Sequence, residues 1–219
     1  MATWELLSGL SDDDRRRVLS TARRRRYGRR EVVFHEGDPG DTLHLIDKGR
    51  VAVRITTPLG EVATMVVLGP GDVLGELALV GAGGRRSAGA VALEKTETLA
   101  LHRDEFDELR RRHPSVEGLL VAALTAQVTR LSALLVEALY VPADKRVARR
   151  LVDLTAVYDE GSPDGIAITV TQDDLASLAG TSRATANRVV GELEQAGALA
   201  VSRGRITVID DGVLARRAR

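Results

Sequence analysis

The sequence predicts an α+β chain in three parts: an N-terminal β-roll of the jelly-roll kind, one long helix, and a small C-terminal domain of two short helices and a β-hairpin. Three observations carry this. Short β-type runs recur from Glu31 to Leu101, divided by turns that contain glycine and proline. The stretch from Pro114 to Tyr140 has no proline after its first residue and no glycine but Gly118. From Thr171 onward a helix start, a Gly180-Thr181 turn and a second helix start at Ser182 follow closely. The expected boundaries are 1–113 for the roll, 114–141 for the central helix and 142–219 for the C-terminal domain.

Bulk composition narrows the classes. A chain of 219 residues suits one large domain or two small ones. With 31 basic and 31 acidic residues the formal net charge is zero, so any nucleic-acid binding must come from a local basic face. The absence of cysteine excludes disulfides, Cys-ligated zinc, iron–sulfur clusters and a thiol nucleophile. Met1-Ala2-Thr3-Trp4-Glu5 lacks the layout of a signal peptide, and no apolar run is expected to reach the length of a membrane span. A cytoplasmic protein with no membrane partner is the expectation.

Taken in order, Ser11 followed by Asp12-Asp13-Asp14 and Arg15-Arg16-Arg17 reads as a capped helix matched to its own dipole. Arg23 to Arg26 with Arg29 and Arg30 form a basic cluster, read as a solvated face without function. Strands are expected at Val32–Phe34, Thr42–Ile46, Val51–Ile55, Thr64–Leu68, Gly89–Val91 and Thr96–Leu101. The scattered histidines, His35, His44, His102 and His113, show no metal-ligand spacing and read as surface residues of strands or helices, so no metal is expected.

Inside the roll lies the run Gly75-Glu76-Leu77-Ala78, then Gly83-Gly84, then Arg86-Ser87-Ala88. A short helical turn presents unpaired backbone N–H groups to an anion. Arg86 adds a forked positive charge, Ser87 a hydroxyl donor, and Ala88 room for close backbone approach. Glu76 would repel a phosphate, so its expected partner is a sugar hydroxyl on the same ligand. Phosphate and sugar together spell nucleotide. Residue by residue, a loose loop, a solvated arginine pair and a dipole-favoured carboxylate remain adequate alternatives; the ordered set is what points to a ligand.

The helix from Pro114 to Tyr140 carries Val121, Leu124, Val128, Leu131, Leu135 and Ala138 at alternating steps of three and four. Such a seam suits a parallel coiled-coil dimer or a helix packed on the roll. Val141-Pro142 breaks it, a helix resumes from Lys145 to Tyr158, and a turn-rich connection leads to a strand at Ile166–Val170. Thr171 then caps a first short helix, and Ser182 caps a second that carries Arg183, Thr185 and Arg188 near its start. Helix, glycine turn and helix make a helix-turn-helix, whose second helix meets base edges in the major groove of double-stranded DNA. Leu199–Ser202 and Ile206–Ile209 flank Arg203-Gly204-Arg205 as a hairpin wing. A packed helical domain with merely solvated arginines is the alternative.

These two blocks resemble the phosphate-binding cassette and the winged helix-turn-helix of the CRP/FNR family of bacterial transcription regulators. The likeness rests on Gly75-Glu76-Leu77-Ala78 with Arg86-Ser87-Ala88, on the turns Glu36-Gly37, Lys48-Gly49 and Gly69-Pro70-Gly71-Asp72, and on Thr171, Ala179-Gly180, Ser182-Arg183, Thr185, Arg188 and Pro163-Asp164-Gly165. The resemblance implies that Glu76 binds a ribose 2′-hydroxyl and that Arg86, Ser87 and nearby amides hold a cyclic phosphate. It implies base-reading roles for Arg183 and Arg188 and a phosphate contact for Thr171. It further implies cyclic AMP as effector, with cyclic GMP the alternative, a homodimer on a two-fold symmetric operator, and RNA polymerase as partner. Two positions depart from the pattern. The family's adenine-contacting Thr-Ser pair falls on Leu131-Ser132, so Ser132 keeps a hydroxyl and Leu131 has none, with Gln127 and Thr129 as polar neighbours. Ala184 stands where the family's glutamate reads a cytosine, so relaxed preference at that base is expected.

The expected function is an allosteric DNA-binding regulator. A regulator of the same fold that is ligand-independent or responds to another nucleotide, and a cyclic-nucleotide-binding regulatory subunit without DNA binding, are the alternatives. No catalytic triad order, metal-ligand spacing or Walker loop appears, so an enzyme is not expected.

Overall fold

The computed structural model describes residues 2–81, 83–159, 161 and 165–219. Ala82 of the cassette run, and Glu160, Ser162, Pro163 and Asp164 of the turn-rich connection, lie outside the described residues. The chain forms two compact units, Met1–Ile55 with Leu68–Leu131 and Thr56–Val67 with Ser132–Arg219.

Helix α1 (Asp12–Thr21) begins where the Ser11 hydroxyl accepts from the Asp14 N–H at 3.2 Å, with three acids in its first turn. Eight strands follow: β1 (Arg23–Tyr27), β2 (Val32–Phe34), β3 (Thr42–Lys48), β4 (Val51–Thr56), β5 (Val62–Leu68), β6 (Val73–Leu74), β7 (Gly89–Ala92) and β8 (Thr96–His102). They form two four-stranded sheets, in the orders β1-β8-β3-β6 and β2-β7-β4-β5. Helix α2 (Glu76–Val80) interrupts the roll between β6 and β7.

Strand β3 explains the core. Leu43 and Leu45 alternate onto one face and join Leu99 and Leu101 of β8 against Trp4, Leu7 and Phe106. Ile46 joins a second cluster with Val51, Leu74 and Ala90. Both faces of β3 are therefore covered. The single tryptophan, Trp4, is buried and donates its indole N–H to the Ile46 carbonyl at 2.9 Å.

Three sequence expectations are corrected here. Arg23 to Arg26 are exposed, as the solvated-face reading has it, but they form a strand that was not expected, β1, which pairs antiparallel with β8; Arg24 bonds Asp47 at 2.8 Å and Glu97 at 2.7 Å, so the run is an edge strand stitched by ion pairs. His44 is not a surface residue but is only 6% exposed, because its face of β3 lies inside the roll. The third concerns α4 (Pro114–Tyr140), which follows α3 (Arg103–Arg112): it holds an 18-residue window of mean hydropathy 1.8 and is long and apolar enough to cross a membrane by length and composition. Only Val116 and Leu120 of that helix are buried, while Val121, Val128, Leu135, Val136 and Leu139 are 57–66% exposed.

The second unit contains α5 (Ala143–Tyr158), β9 (Ile166–Ile168), α6 (Gln172–Ala179), α7 (Arg183–Gln195), β10 (Leu199–Ser202), β11 (Arg205–Val208) and α8 (Asp211–Ala218). Its core includes Val147, Leu151, Leu175, Val189, Leu193, Ile206 and Leu214. Arg150 on α5, its side chain 7% exposed, reaches back to Glu137 near the end of α4 at 3.0 Å and 3.1 Å. Within this unit Ser177 of α6 donates to the Val62 carbonyl at 2.7 Å and accepts from the Thr64 N–H at 2.8 Å.

Candidate functional site

The cassette is held by backbone and by arginines. Gly75 sits at φ 91°, and a Cβ there would lie 2.2 Å from Arg86 Nη1, so only glycine fits while the arginine keeps its place. Gly40 meets the same requirement for a different reason: its Cβ would fall 2.1 Å from that of Ala78. The returning limb is zipped to the turn before β3. Gly37 N–H donates to the Arg86 carbonyl at 2.8 Å, Arg86 N–H to Asp38 at 2.9 Å, and Gly40 N–H to Gly84 at 2.8 Å. Arg103 closes the far end, donating to the carbonyls of Ala78 at 2.8 Å, Leu79 at 3.1 Å and Gly40 at 2.7 Å. The first two are C-terminal carbonyls of α2 that lack a partner within so short a helix.

Arg86 is the centre of this arrangement. It is 4% exposed. Its Nη1 donates to the Gly75 carbonyl at 3.0 Å, and its Nη2 to the Thr42 carbonyl at 2.7 Å and hydroxyl at 2.8 Å. Its Cζ lies 4.2 Å from the centroid of Phe34, a cation–π contact. Burial pushes its pKa down, against the upward pull of the charges on Asp41, Glu76 and Asp38. Among the described residues it makes no ion pair, and its buried Nε has no partner. A buried cation bonded only to neutral oxygens, with its Nε–H left over, is poorly compensated. That donor set fits an anionic phosphate, so the residues present suit a nucleotide effector.

Gly75, Glu76, Leu77 and Ala78 stand with Arg86 as expected, Ala78 buried and Leu77 38% exposed. The Glu76 carboxyl is raised in pKa by burial, against bonds from its own and Gly75's backbone N–H and the charge of Arg86. It therefore sits against backbone amides at the start of α2 as a charge that burial disfavours. Ser87 is exposed and Ala88 half-buried, just before β7. Ser132 lies in the second unit, exposed on α4 beside Leu131, which is 39% exposed.

Behind Arg86 lies a group that sequence reasoning left without a role. His44 Nε2 is 3.3 Å from the Thr42 hydroxyl and its Nδ1 is 3.1 Å from the Thr98 hydroxyl. Its ring packs near Phe34 and Tyr27. Burial lowers its pKa to about 4, helped by the charges of Arg86 and Arg25 and opposed by Asp41. The sequence marks Thr42 only as the first residue of a strand, and Arg103 has no signal, since its partners lie up to 63 residues away in sequence.

In the second unit Thr171 caps α6, its hydroxyl accepting from Asp174 N–H at 3.2 Å while the Asp174 carboxylate accepts from the Thr171 N–H at 2.8 Å and hydroxyl at 2.7 Å. Gly180 ends α6 at φ 57°, and Arg146 of α5 clamps the turn through the carbonyls of Ala179 and Gly180, each at 2.9 Å. Ser182 caps α7 through the Thr185 N–H at 3.2 Å. Ala186, Val189, Val190 and Leu193 bury one face of α7, which leaves Arg183, Ala184, Asn187 and Arg188 facing out. Arg183 pairs with Asp173 at 3.3 Å and Arg188 with Glu192 at 2.5 Å, both exposed pairs that exchange readily for another anion. The wing is completed by β10, β11 and β9 in that order, with Gly204 at φ 73° in its turn.

Comparison with known proteins agrees with both halves. Residues 24–113 match the cyclic nucleotide-binding domain family, and residues 145–217 the Crp-like helix-turn-helix domain. The cyclic AMP receptor protein of Thermus thermophilus is 35% identical over 209 residues, covering 95% of this chain and 94% of that protein. The chain belongs to the CRP/FNR family of transcription regulators. It is a CRP-family DNA-binding transcription regulator with a cyclic nucleotide-binding domain. The crystal structure of the Thermus thermophilus catabolite activator protein, 35% identical, superposes with a TM-score of 0.56 over 97% of both chains. The c-di-GMP responsive global regulator of Xanthomonas campestris, 22% identical, shares the fold with a TM-score of 0.76 over 91% of this chain and 100% of that one.

Proposed function

We propose that this CRP/FNR regulator works as a homodimer whose β-roll captures a cyclic nucleotide, with cyclic AMP as effector, and that capture changes its hold on a two-fold symmetric operator. The observation that carries the reading is Arg86: a buried guanidinium with no ion pair among the described residues and an unpartnered Nε, at the place where a cyclic phosphate would supply the missing charge. The name of the 35% identical relative supports cyclic AMP. In this reading Ser87 adds a hydroxyl donor to the phosphate and Glu76 takes the ribose hydroxyl, which relieves a carboxylate that burial disfavours. The roll spans 1–113, the dimer helix 114–141 and the DNA-binding domain 142–219. The bare apolar side chains of α4 supply the dimer seam. Arg183 and Arg188 read guanines, Thr171 and Ser182 sit at phosphates, RNA polymerase is the partner at promoters, and the cytoplasm is the compartment. A nucleotide shifts the dimer only as far as its affinity differs between the two poses.

A second reading follows from Leu131, which offers no hydrogen bond to an adenine edge: the effector is another nucleotide. Calorimetric titration with cyclic AMP, cyclic GMP and c-di-GMP, on the native chain and on Arg86→Ala, tests both. Binding of cyclic AMP that the substitution abolishes supports the first reading. Binding of another nucleotide alone transfers the role to it, and binding of none removes the effector from the account.

A further inference from the structure

We infer that His44, acting through Thr42, is the positioning residue that fixes Arg86 for its anion. This rests on the assignment of Arg86 to phosphate capture and adds to it the part that aims the guanidinium.

The argument is one of proton direction. A guanidinium only donates, so the Thr42 hydroxyl oxygen, 2.8 Å from Arg86 Nη2, is there as an acceptor. Its own proton needs a different acceptor, and His44 Nε2 at 3.3 Å is placed to be one. That requires a lone pair on Nε2 and therefore a neutral ring with its proton on Nδ1. The Nδ1 proton in turn has an acceptor, the Thr98 hydroxyl at 3.1 Å, which lies beside the Tyr27 phenol. Thr42 and His44 thus each have a place to send a proton, and the series starts at the Arg86 donor. The groups around His44 favour this neutral form: Arg86 and Arg25 are cations, Phe34 and Tyr27 are aromatic, and Asp41 alone pulls the other way.

The consequence is a fixed acceptor behind the cation. With the Thr42 hydroxyl turned towards His44, its oxygen lone pair faces Arg86. The guanidinium plane is then held between that oxygen, the Gly75 carbonyl and the Phe34 ring. Without the imidazole, the Thr42 proton loses its acceptor and the hydroxyl loses the bond that fixes its rotation.

The test has one arm that needs no ligand. Nitrogen-15 NMR of the free protein at neutral pH is expected to show His44 with Nδ1 protonated and Nε2 bare, and Arg86 with slow guanidinium rotation. In His44→Phe, which keeps a ring against Phe34 and Tyr27, that rotation becomes fast; in His44→Gln, whose amide oxygen can take the Thr42 proton, it stays slow. In the second arm, His44→Phe and Thr42→Val each weaken cyclic AMP binding about tenfold, the loss expected for one hydrogen bond to a charged group. The double variant loses no more than either alone, because both cut the same series. A protonated Nε2, unchanged Arg86 rotation in His44→Phe, or additive losses would overturn the inference. A native chain that binds no cyclic nucleotide yet shows the NMR pattern would overturn the effector assignment and leave the positioning role standing.

Discussion

Replacing Gly75 by alanine tests the geometry of the cassette through one methyl group. The new Cβ would stand 2.2 Å from Arg86 Nη1 and 3.0 Å from the Thr42 carbonyl oxygen, where about 3.5 Å is comfortable. Arg86 must therefore move by ~1 Å or more, which strains or breaks its bonds to Gly75 and Thr42. Alanine at φ 91° adds backbone strain of ~1–2 kcal/mol. Disturbing the buried charged donors adds roughly 1.5–3 kcal/mol, for a total of roughly 2.5–5 kcal/mol. Urea unfolding followed by Trp4 reports on the right part of the molecule, because this lone tryptophan is buried in the first unit with the cassette. In an Arg86→Ala background the clash with the guanidinium disappears, and Gly75→Ala should cost only the backbone strain and the tight Thr42 carbonyl contact. Equal costs in the two backgrounds would refute the reasoning, since they would show that Arg86 is not what forbids a side chain at this position.

Other perturbations have defined outcomes. His44 is held neutral when folded, with a pKa of about 4 against 6.5 when free, so its contribution to stability is present above pH 6.5 and is lost as pH falls towards 4. That loss approaches roughly 3 kcal/mol, Glu76 opposing it because its raised pKa favours the protonated form, and His44→Phe should flatten the acid limb of a urea midpoint–pH profile. Ser182→Ala removes the hydroxyl that caps α7 and should lower stability by about 1 kcal/mol in a thermal melt, with Ser182→Asp largely restoring it. Arg183→Ala and Arg188→Ala should each weaken operator binding by roughly 1–3 kcal/mol in anisotropy titrations at fixed salt. Sites selected from random DNA should show relaxed preference between the two guanines, at the base facing Ala184.

What could be read from sequence followed how local each signal is. The cassette and the helix-turn-helix declare themselves because Gly75, Gly180 and Ser182 set the backbone of their own helix ends, whereas the bonds of Arg86 to Thr42, 44 residues away, have no local signal. Strand β1 was hidden, since four successive arginines show no alternation, and its partners Asp47 and Glu97 are supplied by β3 and by β8. His44 was misplaced for a related reason. Alternation with Leu43 and Leu45 assigns it to a solvated face, as on a one-sided sheet, whereas a roll covers both faces of β3. Arg103 and Arg146 were passed over because each serves carbonyls distant in sequence, and no spacing rule announces a side chain that answers a helix end from another element. The apolar length of α4 was underestimated because Leu and Val positions were sorted into a seam, and the alanines between them were not counted.

The hydrogen bonds between Thr64 and Ser177 join residues 113 apart in sequence. At about 5–20 residues per second of synthesis, the tip of the β4–β5 hairpin emerges from the ribosome roughly ten seconds before the serine that will bond it. Through that interval the Thr64 N–H has only water as a partner. The molecule is thus finished out of order: an early segment waits for a late one, and a nascent chain cut before α6 would carry a hairpin without its final contact.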